Sequence, residues 1–259
     1  MNMARIRQEL KRQLQPRARP MMRLEGAFLE RAFPHGGLAS GVHQVVPAAA
    51  GDEASALAFA AALVVRALEA RPGGRALLVQ SADAARESGW AYGAGLQALG
   101  LDPDRLAAVG VRSGAQALRV VDEALKSGSV VAVLADLGDE PRLDLSATRR
   151  FNLSSARTEA LAIAVTRDLS ATSAALTRWR VAARPSFNLR RRLERPAFSL
   201  TLIRNRMGPT GEWTVEWDSH DRVFRAPATL PLPAPRPAAD RPAAAGQEGR
   251  AQGQGERAA

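Results

Sequence analysis

The chain has 259 residues and a 46% apolar content, enough for one large or two small globular domains with a buried core. It contains no cysteine, which excludes disulfide bonds, thiolate catalysis and cysteine-ligated zinc or iron. His35, His43 and His220 stand in no metal-ligand spacing, and the sequence shows neither a signal peptide nor a membrane-spanning run. We therefore expect a cytoplasmic protein that has no membrane role and holds no metal.

The formal net charge of +10 is concentrated in two stretches. Residues 1–23 include seven Arg or Lys and one Glu, and residues 178–206 include nine Arg and one Glu, whereas the segment between them is slightly acidic. A GC-rich genome would explain why Arg outnumbers Lys, but it would not explain this clustering. Two basic stretches on an acidic body suit binding to an acidic protein surface or to a nucleic-acid backbone.

Three segments differ in composition. Residues 1–23 read as a basic helix or arm in which Ile6, Leu10 and Leu14 form an apolar stripe for a partner. Residues 24–225 read as the core domain. Residues 226–259 are rich in Pro, Ala, Gly and Gln, and this composition predicts a disordered tail.

Helical and strand patterns alternate from residue 41 to residue 166. The short strands are almost wholly apolar, as a parallel sheet covered by helices on both faces requires. The predicted strands are 41–47, 75–80, 107–111, 130–136 and 161–166, and the predicted helices are 53–70, 83–99, 114–126 and 146–157. The fold class is therefore α/β.

The pattern changes after Asp168. Short strands are predicted at 178–181, 198–206 and 212–218, the last two joined by a turn. In the last strand the apolar residues Trp213, Val215 and Trp217 alternate with polar ones up to Asp218, so one face should be buried and the other wet. These strands predict an antiparallel extension at the edge of the sheet.

The strand at 41–47 and the helix at 53–70 frame the position of a P-loop. Phosphate binding there needs backbone N–H groups, a Lys for the β- and γ-phosphates and a Ser or Thr hydroxyl for Mg²⁺. The loop, residues 47–55, reads PAAAGDEAS, so carboxylates stand where phosphate oxygens would lie. We predict a vestigial pocket without catalysis or cofactor, formed by Gly51, Asp52, Glu53, Ser55, Asp83 and Asp136.

Several segments resemble RecA. They are residues 36–45 (GGLASGVHQV), 91–106 (AYGAGLQALGLDPDRL), 116–136 (QALRVVDEALKSGSVVAVLAD) and 202–209 (LIRNRMGP). The resemblance implies a RecA-like core in which Asp136 matches the Walker B aspartate. The P-loop Lys and hydroxyl are absent, and the catalytic Glu is replaced by Ala82 or shifted to Asp83. Asp83 and Asp136 could still meet as a relic magnesium site.

Within the RecA-like group, the chain resembles the ImuA family. The resemblance rests on chain size, the lost P-loop, the turn at 92–95 (YGAG) and the strand at 177–181 (TRWRV). It implies a non-catalytic accessory role in SOS-induced translesion synthesis. The implied partners are ImuB, an inactive Y-family polymerase homologue, and an error-prone C-family polymerase.

The late basic stretch is the predicted surface for nucleic acid or a partner. Its arginines could follow phosphates, with Trp179 either a stacking platform for bases or a core residue. The residues of this surface are Arg178, Trp179, Arg180, Arg190, Arg191, Arg192 and Arg195.

Other functions stay open at this point. One is a SulA-like cell-division inhibitor, and another is a RecA-like ATP-dependent DNA-binding protein. Direct DNA contact, self-association and contact with RecA are further open alternatives. The long region after Asp168 weighs against the SulA type, which lacks the late basic strands.

Overall fold

A computed structural model describes residues 33, 37–139, 143–167, 169–185 and 195–227, and the backbone of residues 20–23. The helices within these residues are α1 (Glu53–Ala70), α2 (Ala82–Ser88), α3 (Gly93–Ala98), α4 (Gly114–Ser127) and α5 (Leu145–Thr158). The strands are β1 (Pro20–Arg23), β2 (Gly37–Ala39), β3 (Gly41–Pro47), β4 (Ala76–Ser81), β5 (Leu106–Val111), β6 (Ala132–Gly138), β7 (Leu161–Thr166), β8 (Thr177–Arg184), β9 (Ala197–Asn205), β10 (Gly211–Asp218) and β11 (Val223–Arg225).

Nine of these strands form one sheet in the order β11-β10-β9-β8-β3-β7-β6-β4-β5. The pairs from β8 to β5 are parallel, and the pairs from β8 to β11 are antiparallel. This confirms the predicted α/β class with antiparallel strands at the C-terminal edge. One detail was wrong: β8 is the last parallel strand, because it also pairs in parallel with β3, and the antiparallel extension begins at β9.

Helices cover both faces of the parallel part. On one face, α1 packs against Val45, Leu78, Leu134 and Ile163. Ten of its eighteen residues are buried, and its many alanines let its backbone lie close to the sheet. On the other face, α4 and α5 pack against alternate residues of the same strands, such as Val133 and Ala162. The continuously apolar strands follow from this burial on both sides.

Local sequence signals place most of the helix ends. The side chains of Ser81, Ser113 and Asp144 accept hydrogen bonds from the first-turn N–H groups of α2, α4 and α5, respectively. The single helix predicted over 83–99 was wrong, because α2 ends at Ser88 and is capped by Gly89, whose φ of 78° ordinary side chains rarely adopt. The break leaves the intervening loop, with Trp90 and Tyr92, exposed.

Strands β9 and β10 form an antiparallel hairpin, and β10 has the predicted buried face. Val215 and Trp217 are buried and Trp213 packs against the same core, but Asp218, predicted on the wet face, is only 4% exposed. Its carboxylate bonds Arg195 at 2.8 Å, Arg225 at 3.0 Å and two backbone N–H groups. Burial alone would raise the pKa of Asp218, but these partners outweigh it and hold the pKa below its ordinary value.

The chain ends lie largely outside the described residues. The helix stripe Ile6, Leu10 and Leu14 is not described, nor is the predicted tail after Pro227. The last four residues of the predicted N-terminal arm form strand β1, which pairs antiparallel with β2. Among the described helices, none is long and apolar enough to cross a membrane.

Candidate functional site

The loop between β3 and α1 is closed by its own carboxylates. One oxygen of Asp52 accepts a hydrogen bond from the backbone N–H of Ala183 on β8 at 2.8 Å, and the other accepts one from Ala49 N–H at 3.2 Å. A Glu53 carboxylate oxygen accepts from Gly51 N–H at 2.8 Å. Two backbone donors of this loop therefore already hold carboxylate oxygens, which are the groups that bound phosphates would have to displace.

The side chains around the loop add no phosphate-binding chemistry. Gly51 is exposed with φ 97°, a conformation that favours glycine, and Ser55 is partly buried within the first turn of α1. Asp52 and Glu53 place negative charge at the helix N-terminus, where it stabilises the helix and repels a triphosphate. The described residues of this loop do not fit a nucleotide and its magnesium ion.

Asp136 lies level with the end of β3, two strands away. Neighbouring strands place Val45, Val165, Asp136 and Gln80 in one row across the sheet, so Asp136 lies about 10 Å from β3. Its residue is 2% exposed; one carboxylate oxygen accepts from Gln80 Nε2 at 3.1 Å, and the other has no partner within the described residues. Burial raises the pKa of Asp136, although the charge of Arg167 and the Gln80 bond oppose this shift.

Gln80 and Arg167, which were not predicted as site residues, complete this cluster. The Gln80 amide also donates to the Gly89 carbonyl at 3.0 Å and accepts from Ala91 N–H at 2.8 Å, so it ties Asp136 to the loop after α2. Arg167 forms an ion pair with Glu87 at 3.2 Å and donates to the Ser88 hydroxyl at 3.1 Å. The position of Gln80 at the end of a buried strand is the feature that could have indicated its role.

The two residues of the predicted magnesium pair, Asp83 and Asp136, are bound to different side chains. Asp83, in the first turn of α2, forms an ion pair with Arg86, while Asp136 is bound to Gln80. Among the described residues, no group of three or more His, Cys, Asp or Glu side chains is placed to hold a metal ion.

The structure separates the predicted arginine surface into different environments. The Arg178 guanidinium faces inward and donates to the Gln44 side chain at 3.0 Å and to the carbonyls of Leu169 and Ala171 at 2.7 and 3.1 Å. Arg195 forms an ion pair with Asp218. Arg178 therefore supports the β7–β8 connection, and Arg195 supports the late strands, with its side chain 40% exposed.

Trp179 is a core residue, so its alternative role as a stacking platform was wrong. It is 0% exposed and packs against Phe33 and Phe59, with ring centroids 5.9 and 5.5 Å away. Its indole N–H donates to the Thr177 hydroxyl at 2.8 Å. A nucleic-acid base cannot reach a ring buried to this degree.

Of the remaining predicted residues, Arg180 is exposed and Arg190, Arg191 and Arg192 lie outside the described residues. Alternation along β8 directs Arg180 to the face opposite Trp179, the same side of the sheet as α5. Arg149, Arg204 and Arg206 form an arginine cluster that was not predicted from the sequence. Burial, and then the charges of Arg204 and Arg149, lower the pKa of Arg206.

His43 is buried in a polar pair at the centre of the sheet. Its Nδ1 lies 2.7 Å from the Thr177 hydroxyl and its Nε2 lies 2.9 Å from the Ala39 carbonyl. Because Thr177 already accepts from Trp179, we assign the Thr177 hydroxyl as donor to Nδ1 and a proton to Nε2. Burial lowers the pKa of His43 to about 4, and the Ala39 bond only partly opposes this shift. His220 is exposed, and His35 lies outside the described residues.

The geometry defines an α/β protein with a mainly parallel sheet and a carboxylate-closed loop between β3 and α1. No model of a protein family matches the chain. The ImuA proteins of Caulobacter vibrioides strains NA1000/CB15N and ATCC 19089/CIP 103742/CB 15 are each 31% identical to it over 181 residues, covering 64% of this chain and 70% of theirs. The chain belongs to the ImuA family.

Proposed function

We propose that the chain is a non-catalytic, RecA-like accessory protein of damage-induced (SOS) mutagenesis that works in the cytoplasm. It binds an inactive Y-family polymerase homologue of the ImuB type and supports error-prone translesion synthesis by a C-family polymerase. The role in mutagenesis rests on membership of the ImuA family. The non-catalytic part rests on the loop before α1, whose N–H groups at Ala49 and Gly51 are bonded to carboxylates.

A RecA-like frame is supported by the order of strands. The order β8-β3-β7-β6-β4 puts the loop after β3 and the carboxylate of Asp136 at the carboxyl ends of the parallel strands. Ligands of open α/β sheets bind at the carboxyl ends of the strands. Here that end of the sheet retains a buried Asp136, but the loop has no Lys and holds two carboxylates. We therefore propose that binding of partners has replaced turnover of a nucleotide.

The binding surface that we propose lies on the α5 side of the late strands. Arg180 is exposed there. The arginine cluster Arg149, Arg204 and Arg206 adds further positive charge on this side. Arg190, Arg191 and Arg192 belong to the same basic stretch of sequence. An acidic segment of the polymerase homologue or the phosphates of primer-template DNA would suit this charge.

The loop chemistry leads to an expected result with ATP. We expect the purified chain to bind ATP no tighter than about millimolar, because two acidic side chains occupy the loop and no Lys reaches the phosphates. Isothermal titration calorimetry and a phosphate-release assay measure affinity and turnover. Micromolar binding, or turnover that Asp136→Ala abolishes, would contradict the proposal that the protein is non-catalytic.

Partner binding is tested by a pull-down with the polymerase homologue and by a DNA titration at two salt concentrations. We expect Leu10→Asp to weaken protein association by at least about fivefold, because it places a charge in the apolar stripe. The triple change Arg190→Glu, Arg191→Glu and Arg192→Glu should weaken a salt-sensitive interaction by at least about tenfold.

The matched control carries the same reversal of charge in the tail, at Arg236, Arg241 and Arg250. It should bind like the wild type if position matters and not merely net charge. If both test variants also bind like the wild type, neither basic segment is the binding surface.

A further inference from the structure

Strand β5 is the edge of the large sheet opposite the hairpins. It pairs with β4 alone, and its four central residues, 107–110, are exposed. Among the described strands, only β4 is hydrogen-bonded to it. Two of the most exposed large apolar side chains, Trp90 at 58% and Tyr92 at 77%, lie on the loop between α2 and α3, and Val109 in β5 is itself 37% exposed.

This edge lacks the features that normally prevent strands from pairing with other chains. Exposed edges are usually protected by a charged side chain, a proline, a bulge or a covering element. The six residues of β5 read LAAVGV, and their pairing with β4 is regular throughout. A row of backbone donors and acceptors is therefore available to a further strand, and small side chains leave it accessible.

We propose that β5 pairs antiparallel with β5 of a second copy of this chain, about a two-fold axis through Ala108. A two-fold axis that joins two sheet edges must stand perpendicular to the sheet, because only this axis reverses the strand and keeps each sheet face on its own side. Residues directly opposite each other across the axis then lie on the same face of the sheet. Because side chains alternate between the two faces along a strand, the numbers of two opposite residues are both even or both odd, and their sum is even.

Charge complementarity selects the register among those with an even sum. Pairing centred on Ala108 places Leu106 opposite Gly110 of the second copy, and Ala107 opposite Val109. The same register brings Asp104, just before the strand, next to Arg112, just after it, and the symmetry forms this contact twice. Both residues are exposed. Neither Asp104 nor Arg112 forms an ion pair with another described residue. The register centred on Val109 would instead place Arg112 opposite Leu106.

Trp90 extends the apolar contact beyond the backbone. Its ring lies over Gly110, where an added Cβ would sit 3.1 Å from two ring carbons. In the proposed register the strand residue opposite Gly110 is Leu106 of the second copy, on the same sheet face, so the exposed indole would gain an apolar neighbour. An interface of one strand pair and these rim side chains is at the small end of the size range, and we expect micromolar affinity.

A single engineered cysteine tests the symmetry, because the chain has no cysteine of its own. Residues opposite each other in an antiparallel pair have Cα atoms about 4.5–5.5 Å apart, within disulfide range. Under mild oxidation Ala108→Cys should give a disulfide-linked dimer at least about tenfold faster than Ala156→Cys, an exposed control on α5. Equal rates for the two variants would overturn the proposal.

Charged substitutions at the same position separate self-pairing from other occupants. Ala108→Lys and Ala108→Glu should each be monomeric in sedimentation velocity runs in which the wild type dimerises, because like charges meet at the axis. An equimolar mixture of the two variants should recover the dimer. Melting temperatures near that of the wild type would show that the exposed substitutions leave the fold intact.

The register has its own test. Asp104→Arg and Arg112→Asp should each weaken the dimer at least about threefold, and the double variant should restore it. A monomeric wild type at about 100 µM would overturn the proposal. So would a mixture of the two Ala108 variants that stays monomeric, and in either case a different protein or another segment of this chain would be the occupant of the edge.

Discussion

Trp179→Ala is expected to lower the free energy of unfolding by about 3–5 kcal/mol, the range for removing a large aromatic side chain from a core. Trp179 is fully buried and contacts the rings of Phe33, Phe59 and Trp213. Its loss would leave a cavity between α1 and the late strands and would remove the hydrogen bond to Thr177. Urea titration followed by far-ultraviolet circular dichroism measures the change.

Trp90→Ala is the matched control, because it removes the same side chain from an exposed position. We expect it to change the free energy of unfolding by no more than about 0.5 kcal/mol. If Trp179→Ala is as mild as Trp90→Ala and instead weakens DNA binding, the ring is available to bases and the core position of Trp179 is incorrect.

The second large effect is a loss of stability on acidification that depends on His43. Its ordinary pKa is 6.5, and burial lowers the pKa in the folded chain to about 4. Because the folded state binds this proton less readily than the unfolded state, its stabilising contribution is complete above pH 6.5 and is lost as the pH falls toward 4. A difference of this size corresponds to about 3 kcal/mol.

The measurement is the free energy of unfolding at several pH values between 7 and 4, for the wild type and for His43→Gln. Glutamine can keep both hydrogen bonds, to Thr177 and Ala39, without titrating. We expect the wild type to lose about 3 kcal/mol more than His43→Gln over this range. His220→Gln, at an exposed histidine, should behave like the wild type.

The comparison of variants is needed because Asp136 titrates in the opposite sense. Its pKa is raised, so protonation of Asp136 at lower pH favours the folded state, whereas Asp218, with a lowered pKa, loses its contribution only below its ordinary value near 4. Both contributions are common to the wild type and His43→Gln and cancel in the difference. Equal pH slopes for the two proteins would show that His43 is not buried as a neutral group.

Much of the fold could be predicted from short-range patterns. Strand 41–47, helix 53–70 and strand 161–166 have the bounds that the sequence predicts, because apolar runs of strand or helix length are bounded there by glycine, proline or charged residues. The helix predicted over 83–99 was wrong because Gly89, with φ 78°, interrupts it after Ser88. The alternation that buries Trp217 did not reveal that Asp218 would also be buried.

The candidate site could be predicted only in part. The sequence places Asp52 and Glu53 after the first strand and Asp136 at the end of another, but it does not show which groups they bind. Asp52 bonds the N–H of Ala183, 131 residues away, because β8 lies beside β3. Gln80 binds Asp136 because β4 and β6 are neighbours. These partners follow from the order of strands, which local patterns do not fix.

The sequence by itself determined the class of fold, the absence of Lys from residues 47–55 and the resemblance to the ImuA family, since these depend on residue types and on spacing along the chain. Only the tertiary structure decided that Trp179 belongs to the core, that Arg178 and Arg195 are held by internal partners and that β5 is an exposed edge. The physical reason is that alternation tells which side of a strand a residue faces, while burial depends on what covers that side. Covering elements, such as α1 over Trp179, come from distant parts of the chain.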